Sequence, residues 1–226
     1  MVSKKPVSTK EISVFIIDDH PIVREGLRLG IKLNSSIQVT GMADDIFQAT
    51  KELKRKLPDV LVLDLLLRAS SGLDFLKKIK VEHPGLQVLV LSAHDEGEYA
   101  ERALRAGARG YIMKQESMDQ LIAAIKSVAN GEIYLSENMK VRILEKLVKK
   151  PEGDPTSPMG LLSDRELEIF KSVGDGFETK QIAERLHLSV KTVEAHYANI
   201  KRKMDLENSH QLSRAALRWT HNMHPL

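Results

Sequence analysis

Five short apolar runs punctuate the first part of the chain: Val14-Phe15-Ile16-Ile17, Ile37-Gln38-Val39, Val60-Leu61-Val62-Leu63, Val88-Leu89-Val90-Leu91 and Tyr111-Ile112-Met113. Their apolarity is mostly continuous rather than alternating, which suits strands covered by helices on both faces. Between and after the runs, residues 22–33, 46–57, 73–81, 99–106 and 118–129 carry apolar positions at helical spacing. Strand and helix alternating five times predict an α/β fold: a doubly wound, five-stranded parallel sheet with right-handed crossovers.

Beyond Leu161 the strand signal is gone and short helical patterns follow one another to Trp219. The segment 149–158 holds Pro151, Pro155 and Pro158 with few apolar groups, and reads as a linker. Residues 139–148, just before it, have a helical period and a basic face. The expected division is an α/β domain over 11–131, a linker with a basic helix over 132–160, and a small all-α domain over 161–226.

Composition narrows the classes without choosing among them. The chain has 226 residues, 34 Lys and Arg against 31 Asp and Glu, and no Cys. Disulfide frameworks, thiolate nucleophiles and Cys-based zinc sites are excluded. No uncharged apolar run reaches the length of a membrane span, and residues 1–10 lack the apolar stretch of a signal peptide. A cytoplasmic location is expected. The net charge of +3 neither demands nor excludes nucleic acid.

The chemistry lies where the apolar runs stop. The first is followed by Asp18-Asp19, the third by Asp64, the fourth by Ser92 and the fifth by Lys114. In an open parallel sheet the C-terminal strand edge is where ligands bind. Asp after a strand is often only a turn former or helix cap, but four strand ends sharing one rim point to a joint site. Clustered carboxylates repel unless a hard cation neutralises them, and Mg2+ both takes oxygen ligands and binds phosphate. Asp64 is then a nucleophile forming an acyl phosphate, with Ser92 and Lys114 contacting phosphoryl oxygens.

At Asp18-Asp19-His20-Pro21, Asp64, Ser92-Ala93 and Tyr111-Ile112-Met113-Lys114 the sequence resembles the flavodoxin-like receiver domain of two-component response regulators. The resemblance implies that Asp18, Asp19, Asp64 and the backbone carbonyl of Leu66 hold Mg2+. It implies further that Asp64 is phosphorylated by a partner histidine kinase, that Ser92 and Lys114 bind the phosphoryl group, and that Tyr111 is an aromatic switch. On its own, Tyr111 also fits a strand residue half-buried under a helix. The loop after Asp64 departs from the family: Gly72 stands at the usual position, but Arg68 replaces the usual Pro.

In the C-terminal part, Ser163-Asp164-Arg165-Glu166 fits a capping box opening a helix that stops at Gly174-Asp175-Gly176. A second helix starts near Thr179 with Ile182, Ala183 and Leu186 inward. After His187-Leu188-Ser189, a third starts at Val190 with Val193, Ile200 and Met204 inward. Two helices joined by a three-residue turn form a helix-turn-helix. Between Ser189 and Lys203, Lys191, Lys201, Arg202 and Lys203 oppose only Glu194, a local positive stripe. A solvated helix face is the ordinary account of such a stripe.

The runs Leu162-Ser163-Asp164-Arg165-Glu166, Lys180-Gln181-Ile182-Ala183, Lys191-Thr192-Val193-Glu194-Ala195-His196 and Ile200-Lys201-Arg202-Lys203-Met204 resemble the LuxR-type DNA-binding domain. With the receiver, this is the pattern of a full-length response regulator of the NarL/FixJ type. The analogy implies base-edge contacts from Lys191, Glu194, Ala195 and Ala198, and phosphate contacts from Lys180, Thr192, Tyr197, Lys201 and Arg202. It also implies a homodimer on an inverted-repeat operator, through a last helix carrying Leu212, Ala215, Ala216 and Trp219. The tail residues His221 and His224 are assigned no metal.

The expected function is a transcription regulator switched by phosphorylation, and at most a slow autophosphatase rather than an enzyme. Two other readings compete. An aspartyl-phosphate phosphohydrolase wants a second Asp two residues after the nucleophile, where this chain has Leu66. A DNA-binding regulator with a phosphorylation-independent receiver is kept open by Arg68.

Overall fold

The computed structural model describes residues 11–34, 36–67, 70–93, 96–148 and 158–223. The chain separates into two compact units, residues 1–145 and 146–226.

In the first unit, β1 (Ile12–Ile17), β2 (Ile37–Ala43) and β3 (Val60–Leu63) run parallel with two later strands. A two-stranded antiparallel ladder, β4 (Leu66–Leu67) with β5 (Ser70–Ser71), follows β3, and β6 (Gln87–Ser92) and β7 (Gly110–Met113) complete the main sheet. Its order is β2-β1-β3-β6-β7, all parallel. The helices are α1 (Pro21–Lys32), α2 (Ile46–Leu53), α3 (Gly72–Glu82), α4 (Glu96–Arg105) and α5 (Met118–Ala129), and α6 (Glu137–Val148) begins in this unit and ends past its boundary.

The burial pattern explains the continuous apolar runs. On one sheet face Val14, Ile16, Val60, Val62, Leu89 and Leu91 pack with Leu27 and Ile31 of α1 and Leu121, Ile125 and Val128 of α5. The alternate residues Phe15, Ile17, Leu61, Leu63, Val88 and Val90 are equally buried on the other face. A one-residue slip of any central strand would exchange its two buried sets.

Several features of this unit depart from the sequence expectation. The helix expected over 46–57 ends at Leu53. Lys54, Arg55 and Lys56 carry the chain away from the helix, and Pro58 disfavours helical backbone at Leu57. The β4–β5 ladder was not expected; it is too short to leave a hydrophobic period. After α5, Tyr134 bridges to Gly110, with its amide donating to Arg109 and its carbonyl accepting from Tyr111. This segment covers the outer edge of β7, a common way to blunt an open sheet edge.

The second unit contains α7 (Pro158–Leu161), α8 (Asp164–Gly174), α9 (Thr179–Arg185), α10 (Val190–Lys203) and α11 (Ser209–Met223). Pro158, placed in the linker from sequence, instead begins a short helix, a position where proline lacks only an unused donor. The Ser163–Glu166 capping box forms in both directions, with Ser163 N donating to Glu166 Oε2 at 2.8 Å. His187, at φ +51°, turns the chain between α9 and α10, and Ser189 caps α10 through Thr192 N at 3.0 Å. Leu167, Phe170, Ile182, Val193, Ile200, Leu212 and Ala216 form the core, and Phe170 meets Trp219 with ring centroids 5.9 Å apart. Arg68 and the segment 149–157 of the expected linker lie outside the described residues, as does His224.

Candidate functional site

The C-terminal edge of the sheet brings together the residues at the strand ends. Asp18, Asp19 and Asp64 are 1%, 7% and 2% exposed, and Ser92 is buried at the end of β6. Lys114, just past β7, places Nζ 2.6 Å from Asp64 Oδ2 and 2.7 Å from Asp18 Oδ2. Burial alone would pull the Lys114 ammonium down, but Asp64 and Asp18 outweigh it and hold its pKa above the ordinary value. The backbone fixes these positions: Asp64 N donates to Ile17 O at 2.8 Å and Lys114 N to Ser92 O at 2.8 Å.

Gly72 has a direct part in this packing. A Cβ on it would fall 2.5 Å from the Asp64 carbonyl oxygen and 2.6 Å from Leu65 Cα. The start of α3 can therefore lie against the Asp64–Leu65 peptide only with glycine there. Tyr111 is fully buried, not half-buried, and its amide donates to Tyr134 O at 3.0 Å.

Among the described residues Lys114 pairs with Asp18 and Asp64, and the three buried carboxylates converge as a donor set that a cation suits. One ligand atom from each of Asp18, Asp19, His20 and Asp64 lies within 4.8 Å of the others. The hard oxygen donors fit Mg2+. His20 was not singled out from sequence beyond its place in the motif, and nothing in its spacing marks it.

On the second unit, α10 leaves Lys191, Glu194, Ala195, Ala198 and Arg202 exposed, with Thr192, Tyr197 and Lys201 half-exposed; Lys180 on α9 is exposed. The Thr192 hydroxyl lies 2.7 Å from Ser189 Oγ and so also belongs to the helix cap. Lys203 does not share the stripe: its Nζ lies 2.6 Å from Glu166 Oε2 on α8. The positive stripe is therefore one charge smaller than the sequence suggests. Burial pushes Glu166 up, but Lys203 and the Ser163 amide and hydroxyl outweigh it, leaving its pKa lowered. His196 turns toward α8; burial and Arg165 hold its pKa below the ordinary value, against an opposing pull from Glu166. In α11, Leu212 and Ala216 are taken up by packing within the unit, while Leu217 is exposed.

Both units have relatives. Residues 14–126 match the family described as response regulator receiver domain, and residues 160–216 match bacterial regulatory proteins of the luxR family. The oxygen regulatory protein NreC of Staphylococcus carnosus is 36% identical over 211 residues, covering 92% of this chain and 97% of its own. The chain is a response regulator of the NarL/FixJ type. This regulator joins a receiver domain to a LuxR-type DNA-binding domain, and is a DNA-binding transcription regulator of the two-component class. NreC of Staphylococcus aureus is likewise 36% identical over 211 residues, with the same coverage. Among solved structures, RcsB of Salmonella enterica serovar Typhimurium, bound to promoter rprA with the phosphomimetic BeF3−, is 26% identical. It aligns with a TM-score of 0.59 over 92% of this chain and 99% of that one. The receiver domain of NarL from Mycobacterium tuberculosis is 32% identical, with a TM-score of 0.52 over 54% of this chain and 99% of that one. Among the described residues no helix is long and apolar enough to cross a membrane.

Proposed function

We propose that this regulator is switched by phosphorylation of Asp64 by a partner histidine kinase in the cytoplasm. The observation that carries the reading is the buried Asp18–Asp19–Asp64 cluster held against Lys114 at the sheet edge. An Asp64 carboxylate oxygen attacks the phosphorus as the donor's N–P bond breaks, leaving an acyl phosphate on Asp64 and the donor's histidine free. Asp18, Asp19, Asp64 and the Leu66 carbonyl would hold Mg2+, which neutralises charge on the transferring group. Lys114, now bound to Asp64 and Asp18, exchanges a carboxylate partner for a phosphoryl oxygen, and the Ser92 hydroxyl donates to another. Hydrolysis of the acyl phosphate is slow.

Tyr111, the aromatic switch of this reading, lies on β7 three residues before Lys114, and its amide donates to Tyr134 O, so rearrangement at the end of β7 reaches the segment entering α6. Output is binding of a dimer to an inverted repeat. Lys191, Glu194, Ala195 and Ala198 meet base edges, while Lys180, Thr192, Tyr197, Lys201 and Arg202 meet phosphates. The dimer contact falls to exposed residues of α11 such as Leu217. The domains run over 11–131 and 161–226, joined by 132–160.

Acetyl phosphate and Mg2+ test the reading. An acid-stable, base-labile adduct that persists for minutes and is lost in Asp64→Asn is expected. DNA binding without any adduct would favour a phosphorylation-independent receiver instead.

A further inference from the structure

The acceptor site holds a residue that neither its oxygen chemistry nor its helix cap explains. His20 is the N-cap of α1, a position favouring short side chains that accept from the first-turn amides, yet its side chain makes no capping bond. The ring is directed into the carboxylate cluster. Nδ1 lies 2.8 Å from Asp19 Oδ1 and 3.2 Å from Asp18 Oδ1, while the side chain as a whole is 60% exposed. The backbone around it is fixed. His20 N donates to Asp18 Oδ1 at 2.8 Å, Arg24 NH1 donates to the Asp18 carbonyl, and Pro21 sets the first helical residue.

We propose that His20 is a nitrogen ligand of the acceptor-site cation, which makes the site a mixed N/O centre able to take a borderline divalent ion such as Zn2+ in competition with Mg2+. The inference rests on the reading of the Asp18–Asp19–Asp64 cluster as a cation site. In the tautomer protonated on Nε2, the imidazole presents the Nδ1 lone pair to the same point as the three carboxylates; in the other, Nδ1–H donates to Asp19 and Asp18. The four donor atoms lie within 4.8 Å of one another. Opposed ligands on an ion with bonds of about 2.1 Å stand about 4.2 Å apart, so closure asks for only small side-chain rotations. Imidazole raises affinity for Zn2+ and Ni2+, whereas Mg2+ gains little from nitrogen and keeps its carboxylates and waters. The acceptor site is thereby open to control by a second class of cation.

The test follows the histidine ring 15N resonances of the full-length chain during separate titrations with Mg2+ and Zn2+, with the imidazoles neutral. Zn2+ is expected to move His20 Nδ1 to the metal-bound range at one equivalent, and Mg2+ to saturate without that displacement. His20→Ala should weaken Zn2+ binding by about an order of magnitude or more, the scale seen even for outer-shell partners of metal ligands, and leave Mg2+ binding nearly intact. Retained Mg2+ binding also shows that the variant is folded. Zn2+ binding with His20 unmoved, or equal losses for both ions in His20→Ala, would overturn the inference, since His20 would then only orient Asp19. Failure of the wild-type chain to bind either ion would overturn the cation site itself.

Discussion

The proposed acceptor pocket and the recognition helix both gather charge, but they hold it under opposite conditions. Asp18, Asp19 and Asp64 are almost wholly removed from water and Asp18 and Asp64 share the Lys114 ammonium, whereas Lys191, Glu194 and Arg202 on α10 stand in solvent. Buried charges interact strongly and punish any loss of a partner. Exposed ones interact weakly until DNA displaces their water and counterions. On the proposed function, one covalent change in the pocket would rearrange several groups at once. The helix face is a set of nearly independent contacts. Lys203 and His196 cross that divide: both belong to α10 in sequence but are drawn toward α8, and serve the fold.

The sharpest break of the comparison is Gly72→Ala. Its Cβ would collide with backbone on both sides of the Asp64–Leu65 peptide, so a loss of about 3 kcal/mol in urea unfolding is expected, together with slowed phosphorylation. Unchanged stability would mean that α3 does not rest on the acceptor loop.

Next come the two ways of breaking the Glu166–Lys203 pair. Lys203→Ala strands a buried carboxylate and should cost about 2 kcal/mol. Glu166→Gln keeps the capping bonds and frees a lysine that can reach water, for about 1 kcal/mol. Equal costs would contradict the asymmetry in their burial.

The same residues set an acid limit for the second unit. The folded pKa of His196 lies below its ordinary value of 6.5, so the unfolded chain takes up protons first and stability falls as pH drops below that value. The folded pKa of Glu166 lies below its ordinary 4.5; its contribution is present above that value and is lost as pH falls through the lowered one. His196→Gln should flatten the upper limb of stability against pH, and Glu166→Gln the lower limb.

On the exposed face the effects are smaller. Glu194→Ala should change base preference at one operator position by about 1 kcal/mol, seen by selection from a randomised site. Lys201→Ala should weaken all sequences alike and lower the slope of log affinity against log salt by about one. A specific effect from Lys201, or a uniform one from Glu194, would reverse their assignments.

Much of this was legible in the sequence where local pattern and tertiary demand agree. Strands buried on both faces left uninterrupted apolar runs, and Ser163 with Glu166 announced a helix start that the structure reproduces bond for bond. The strand-end residues Asp18, Asp19, Asp64, Ser92 and Lys114 could be grouped because parallel topology sends every strand's end to one rim. What stayed hidden depends on contacts distant in sequence. Glu166 and Lys203 are 37 positions apart, and in the sequence Lys203 is indistinguishable from its basic neighbours. The edge bridge from Tyr134 to Gly110 has no periodicity to betray it. Nor does a histidine after two aspartates reveal that its ring turns back onto them instead of capping the helix.

The central claim is that chemistry in the buried pocket governs contacts on the exposed helix. Its most direct measurement is operator affinity by fluorescence anisotropy at fixed salt, with and without acetyl phosphate and Mg2+, for the wild type and Asp64→Asn. The account predicts tighter, more cooperative binding of the phosphorylated wild type and no response from Asp64→Asn. Equal affinity for the phosphorylated and unphosphorylated wild type, with the adduct on Asp64 verified, would contradict it.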